Sequence, residues 1–542
     1  MAINKFSNSF LSLAAAVFFC FPLTSQVFAL KEAITIDGSN AKTVHEIGQT
    51  AAGINVGLLA SKNIYTQHEA FFEKDPNGNP IGNSYAFNYD VTGSGISPFD
   101  HDTWMAGIIA SRGGAMHPND TGTAPDCNIH CVRVIADSNQ IKLTEGLDKL
   151  INDLNCRVIT AAFALDAAAD GQSIISLIYD YYAYTYNTVV FAHAAGNNGI
   201  GGIQVAGDAF NGITTGGLIE TGIGIYDRVG IVSGQGPTAD ARKKPDITAP
   251  SNAQRVPHSG TNTWIIPPYN SGETSLAVPH TAGTAALLVG SAEQTENPND
   301  GCSEVIRAVI VNSAFPNIQD RYGNTTNPAN SNNTWHPDRG YGRIDAFRAY
   351  QLLSSEQISK DTPIEQFKGW NYALVNNSSQ QDNYFIAGSK NQRLVLTVTW
   401  NRKINRSGPF NYSEDTPKFN LNLTIKCSDG TVIFAESDSN NNLKKVDLLL
   451  PADDTYTINL TNPGINQSRY YGLAFELIPP VPADLNLDYI VDANDLDLLK
   501  KNWLLNNPII DEMLFEDGII NLKDFAVLAD SWQLFDPAYY QQ

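Results

Sequence analysis

Ser275 sits in Asn270-Ser-Gly-Glu-Thr-Ser-Leu-Ala-Val-Pro-His-Thr-Ala-Gly-Thr-Ala-Ala-Leu-Leu288, where a small-residue turn opens into a long apolar run. A serine at the start of a buried helix has an exposed hydroxyl. The helix N-terminus lends it partial positive charge, which suits attack on an acyl carbonyl and the oxyanion that results. Serines also cap buried helices for purely structural reasons. Catalysis therefore requires partners elsewhere in the chain that could take a proton and hold an oxyanion.

The elements that would position such groups are legible as alternation. Ile54 to Leu59, Asn128 to Ile135, Arg157 to Phe163, Thr188 to Ala194 and Ile231 to Val232 read as strands. His101 to Ser111, Leu143 to Leu154, Ser173 to Tyr184, Ala277 to Val289 and Ser303 to Ser313 read as helices. Continuous apolar strands separated by helices predict an α/β domain with a parallel sheet covered on both faces. Beyond Asp361, Arg393 to Trp400, Phe419 to Ile425 and Thr455 to Leu460 alternate with period two, which predicts a β-sandwich of half-buried antiparallel strands. Pro479-Pro-Val-Pro482 then forms a stiff linker into an acidic tail. The tail repeats itself, Asp495-Leu-Asp-Leu-Leu-Lys-Lys-Asn-Trp503 matching Asp524-Phe-Ala-Val-Leu-Ala-Asp-Ser-Trp532 in its acid, apolar and aromatic positions.

Composition narrows the function. The 542 residues are 42% hydrophobic and 17% charged, so the chain can bury substantial cores. A formal net charge of -21 argues against nucleic acid or anionic membranes as partners. Lys5, the apolar stretch Phe10 to Leu23 and the small-residue site Val27-Phe28-Ala29 read as a signal peptide over 1–29, with export and a mature chain from Leu30. A secreted or cell-surface location follows. Cys127, Cys131, Cys156, Cys302 and Cys427 would remain, an odd number that leaves at least one thiol unpaired within the chain. Cys127 and Cys131 flank a strand and stand roughly 13 Å apart, too far to bridge each other. No Cys/His spacing matches a zinc site.

Four stretches resemble the subtilisin-like serine peptidases. His101-Asp-Thr-Trp-Met-Ala-Gly107 is similar to that family's His-Gly-Thr-His-Val-Ala-Gly, and Thr274-Ser-Leu-Ala-Val-Pro-His-Thr-Ala-Gly283 to its Thr-Ser-Met-Ala-Ala-Pro-His-Val-Ala-Gly. Ala194-Ala-Gly-Asn197 resembles its oxyanion strand end. Gly236-Pro-Thr-Ala-Asp-Ala-Arg-Lys-Lys-Pro-Asp-Ile-Thr-Ala-Pro250 resembles its Gly-Pro-Thr…Lys-Pro-Asp-Val-Thr-Ala-Pro segment. The resemblance covers about residues 50 to 353 in the family's chain order. It implies that Ser275 is the nucleophile, His101 the general base and acid, and Asn197 a donor to the oxyanion. His280 falls where the family carries a structural histidine.

The sequence departs from the pattern at the third triad member. The family's acid ends the first core strand, but Val56-Gly-Leu-Leu-Ala-Ser-Lys62 puts Ala60 there. Asp100 and Asp102 flank His101, yet successive helical side chains diverge, so Asp102 reads as a helix N-terminal charge and Asp90 as an acid that could approach from the preceding loop. Trp104 replaces the motif's second histidine, and Asp102 and Glu273 replace glycines beside His101 and Ser275. Ala162, Phe163 and Ala164 stand where the family lines its primary substrate pocket, and methyls at Ala162 and Ala164 would narrow it. The expected function is an exported serine endopeptidase slowed by the missing acid, with a protein or peptide substrate. Restoring the acid by Ala60→Asp would raise activity steeply where the local geometry is intact and leave it flat where the site has decayed elsewhere. The alternative is a non-catalytic binding or scaffold protein that reuses the fold.

The tail carries its own chemistry. Asp484, Asn486, Asp488, Asp492 and Asp495 fall at positions one, three, five, nine and twelve of an EF-hand-like loop, a spacing for Ca²⁺. Together with the repeat this resembles a dockerin-type module, which implies a cohesin-like docking partner. In the second half Met513 and Phe515 occupy ligand positions, so that loop is expected to bind poorly. The expected organisation is a signal peptide at 1–29, a peptidase domain at 30–355, a β-sandwich at 361–478, a linker at 479–482 and a dockerin-like domain at 483–537.

Overall fold

The computed structural model of the chain describes residues 29–532, apart from 162, 164, 166, 326–333, 376–380, 464–466, 480–482, 486–490, 508–509, 512–513 and 516. The signal peptide expected over 1–29 lies outside the described residues except for Ala29.

The first half folds around an eight-stranded sheet: β1 (Asn55–Ala60), β2 (Ala86–Asp90), β3 (Asn128–Arg133), β4 (Val158–Ala161), β5 (Val190–Ala194), β6 (Ile213–Gly222), β7 (Ile225–Val229) and β8 (Ile247–Pro250). The spatial order is β8-β6-β5-β4-β1-β3-β2, with β7 added beside β6. All pairings are parallel except β6 with β7. Strands such as β5, buried throughout, are apolar along their whole length because helices cover both faces. On one face α1 (Asp100–Ala110) and α4 (Thr274–Ala292) enclose a large cluster including Val56, Leu58, Met105 and Ala285. On the other, α2 (Leu143–Asp148) and α3 (Ile174–Thr185) pack Leu147, Tyr179 and Tyr182 against Leu59 and Phe191.

Two expectations need correction here. Ile231 and Val232 form a turn, not a strand, and Ile231 is exposed. Val232 instead donates its N–H to the Ser271 carbonyl at 3.1 Å, joining this turn to the one before Ser275. The strand in this region is β6, whose Gly216 and Gly217 disguise it. Helix α4 also begins at Thr274, three residues before the expected Ala277, so Ser275 lies inside its first turn.

The second half contains two larger sheets, with one cluster including Leu394, Trp400, Leu423 and Tyr456, and a two-stranded hairpin, Ile404–Gly408 with Asn411–Glu414. One has five strands and includes Gln381–Gly388 and Asp454–Thr461; the other has four and includes Arg393–Trp400 and Arg469–Ile478. The four-stranded sheet lies directly on α5 (Ser303–Asn312). A Cβ at Gly472 would come within 2.3 Å of the Glu304 carbonyl oxygen, so only glycine permits this approach. Arg348 reaches across to Glu476 at 2.7 Å.

The described residues of the tail include the helices Ala493–Lys501 and Leu522–Asp530, packed through Leu499, Ile520 and Leu528. Each opens with the same reciprocal cap, Asp492 with Asp495 and Asn521 with Asp524. The sequence repeat is thus a repeat of structure.

Candidate active site

The C-terminal ends of parallel strands leave a crevice where loops present polar groups. Ser61 and Lys62 follow β1 there, and Asn197 follows β5. The turn before Ser275 is clamped from beneath by glycines. Gly272 has φ +98, and a Cβ on it would meet Gly230 Cα at 2.5 Å; one on Gly217 would meet the Gly272 carbonyl oxygen at 2.3 Å. These contacts fix Ser271 to Glu273 against β6 and deliver Ser275 on the first turn of α4.

Ser275 Oγ lies 2.8 Å from His101 Nε2. His101 is the second residue of α1 and about one-fifth exposed. Two positions 174 residues apart are thus brought to hydrogen-bond distance in the arrangement of a nucleophile and its base. Asn197 Oδ1 accepts from the backbone N–H of Thr274 at 2.8 Å and from Thr274 Oγ1 at 3.0 Å. Its backbone N–H donates to Gln204 at 2.7 Å. With the oxygen committed to the residue before Ser275, the side-chain amide of exposed Asn197 has no hydrogen-bond acceptor among the described residues. Thr274 is a site residue that sequence reasoning missed; its hydroxyl also accepts from Gly196 N–H at 3.1 Å.

The acids are arranged differently from the sequence reading. Asp90 ends β2 and is occupied by Thr92 and by the Gly95 N–H. Asp100 accepts from the Ser259 N–H. Asp102 does not point away from His101. It is fully buried, and its Oδ1 is 3.7 Å from His101 Nδ1. Its Oδ2 accepts from Lys62 N–H at 2.9 Å and Ser61 Oγ at 3.2 Å, the two residues that follow Ala60. One signal could have located it: the acid missing from the strand end and the acid gained beside His101 are paired departures from one pattern.

Ala162 and Ala164 lie outside the described residues, and Phe163 is half-buried against the cluster under α3. Trp104 is buried and meets Tyr269 edge-on, with ring centroids 5.9 Å apart. His280 is buried between Thr123 Oγ1 at 2.9 Å and Gln254 Oε1 at 3.3 Å; burial pushes its pKa down to about 3, so it is a neutral packing residue. All five described cysteines are unpaired.

In the tail, Asp484 and Asp495 are buried, and Asp495 accepts from the N–H groups of Leu485 and Asp492 at 2.6 and 2.8 Å. Asp492 caps the helix that follows. Asn486 and Asp488 lie outside the described residues. In the second half the carboxylates of Asp511, Asp517 and Asp524 converge to within 4.8 Å of one another. Asp511 is buried, its Oδ1 without a hydrogen-bond partner among the described residues, and it comes from outside the loop spacing read in the sequence.

Residues 77–342 match the model of the subtilase family, Peptidase S8. Over these residues the α/β domain is similar to the subtilase family. Membrane-bound transcription factor site-1 protease of Mus musculus is 27% identical over 261 residues, 47% of this chain and 22% of that protein. Serine protease AprX of Bacillus subtilis (strain 168) is 28% identical over 295 residues, 49% of this chain and 64% of that one. The chain thus spans less than two-thirds of the length of these relatives. Two solved structures also align. Prenylagaramide maturation protease PagA covers 58% of this chain and 99% of its own at 22% identity and TM-score 0.43. Clostridium perfringens CspB protease covers 59% and 97% at 15% identity and TM-score 0.45. Among the described residues no helix is long and apolar enough to cross a membrane.

Proposed function

We propose that this protein is an exported serine endopeptidase that works through an acyl-enzyme, slower than a subtilase with an acid on its first strand. The observation that carries the reading is the 2.8 Å contact between Ser275 Oγ and His101 Nε2. Ser275 Oγ attacks the scissile carbonyl while its proton passes to His101 Nε2. The tetrahedral oxyanion takes a hydrogen bond from Asn197 Nδ2. As the C–N bond breaks, His101 returns the proton to the departing amine; water, deprotonated by the same imidazole, then releases the acid and regenerates Ser275. A groove of about 730 Å³ beside Asn197, lined by Ala169, Asn198, Gln204 and Pro237, is open to the substrate chain. Ala60 supplies no carboxylate, which supports a lowered turnover. The alternative, a non-catalytic binding protein, is favoured by Trp104 and Glu273, which stand where the family has histidine and glycine.

The apolar stretch Phe10 to Leu23 supports export. The tail reads as a calcium-stabilised dockerin-like module that docks on a cohesin-like partner. The unpartnered, buried Asp511 oxygen beside Asp517 and Asp524 is a fit for a hard cation in the second half, and Asp484 and Asp495 offer buried carboxylates in the first. Bound Ca²⁺ would neutralise these acids and close the loops. The peptidase reading is tested by cleavage of a denatured protein: the wild type should cut it and Ser275→Ala should not. Equal cleavage by both, or none by either, would overturn it.

A further inference from the structure

We infer that Asp102 is the orienting carboxylate of this site, reached from the helix side instead of the strand side; the inference rests on the serine peptidase reading above. A carboxylate in the first turn of a helix favours the N-terminal dipole from solvent or by capping its own turn. Asp102 does neither. Its side chain is fully buried, and Oδ2 is held by the backbone N–H of Lys62 and the hydroxyl of Ser61. Both donors belong to the end of β1, so the carboxylate occupies the ground just past Ala60.

The remaining oxygen, Oδ1, is buried with no hydrogen-bond partner among the described residues and is 3.7 Å from His101 Nδ1. An unsatisfied buried carboxylate oxygen is costly. The imidazole nitrogen it faces is the one that carries a proton when Nε2 accepts from Ser275. A hydrogen bond needs about 3 Å, and catalytic contacts are often long before substrate binds. Asp102 can therefore favour the Nδ1–H tautomer and the imidazolium that forms during attack. It touches neither substrate nor Ser275, and acts as a positioning residue.

The substitutions are reciprocal. The subtilisin-like pattern pairs a strand-end acid with a glycine after the histidine; this chain pairs Ala60 with Asp102. The small side chain at Ala60, fully buried, leaves the space that the Asp102 carboxylate takes. Loss of the triad acid from a well-aligned site costs ~10⁴ in turnover. The longer contact here sets the expected loss in Asp102→Asn between about tenfold and that bound.

The test is the rate of Ser275 modification by a fluorophosphonate in the full chain, with Ser275→Ala as the blank. Asp102→Asn keeps an oxygen for Lys62 and Ser61 but removes the charge, and should label about tenfold slower or worse at an unchanged melting temperature. The exchange variant Ala60→Asp/Asp102→Gly should regain the wild-type rate or exceed it. A purely structural Asp102 gives a different result: either Asp102→Asn labels as fast as the wild type, or both variants stay slow, and each outcome overturns the inference. If Asp102→Asn does not fold, the exchange variant alone decides, its labelling sustaining the inference and its silence refuting it. No labelling of the wild type would instead defeat the peptidase reading itself, and this inference with it.

Discussion

Ala60→Asp restores the residue that the family pattern asks for, yet the structure gives it the opposite outcome to the one the sequence suggests. Ala60 is fully buried and its carbonyl accepts the Val134 N–H at 3.0 Å, so the strand end is held in place. The Asp102 carboxylate already lies on Ser61 and Lys62. A second carboxylate added there would stand roughly 4 Å from the first, and two negative charges at that distance repel by ~4 kcal/mol at an effective dielectric of about 20. One of them must take a proton or leave its place, and either change disturbs the contact with His101. The single variant should therefore melt at a lower temperature than the wild type and label with fluorophosphonate no faster. The assay is a thermal melt beside a labelling time course on the same preparation. Labelling about 100-fold faster at an undiminished melting temperature would refute the reasoning, because the acid's place would then have been vacant.

Other consequences can be measured independently. Asn197→Ala should lower kcat by about 10²–10³ with little change in KM, the usual effect of losing one oxyanion donor; a change confined to KM would remove Asn197 from that role. Burial holds His130 at a pKa of about 4 and His193 and His280 at about 3, so all three are neutral in the fold. The unfolded chain binds these protons near pH 6.5, so the contribution is complete above that pH and is lost as pH falls toward about 4 for His130 and about 3 for His193 and His280, by up to ~1.4 kcal/mol per pH unit for each group; the fall in denaturation midpoint between pH 7 and 4.5 should be smaller in His193→Gln than in the wild type, and an equal fall in both would contradict this. Calcium should raise the melting transition of the tail in the full chain, less so in Asp511→Asn, and an equal rise in both would exclude Asp511 as a ligand.

Much of the fold was readable because the parallel strands are apolar along their length and the intervening helices are long. Strand β6 was hidden by Gly216 and Gly217. Glycine is unfavourable in strands, but at Gly217 the Gly272 carbonyl oxygen leaves no room for a Cβ. The same crowding that obscures the strand positions Ser275. The start of helix α4 is hidden because Thr274-Ser-Leu carries no apolar period, although its first turn holds Ser275. The pairing of Ser275 with His101 and the place of Asn197 were legible from motif order. Asp102 was not, because the expectation that successive helical residues diverge holds for their Cβ directions and not for where a rotamer takes a carboxylate. Asp511 escaped for a similar reason: loop spacing counts positions, while a ligand can arrive from outside the count.

The central claim is that Ser275 is a nucleophile activated by His101. Fluorophosphonate treatment of the purified protein followed by peptide mapping tests it most directly. The account requires one adduct, on the peptide containing Ser275, and its loss in His101→Ala although that serine remains. No adduct on Ser275, or one that forms as fast in His101→Ala, would contradict the account.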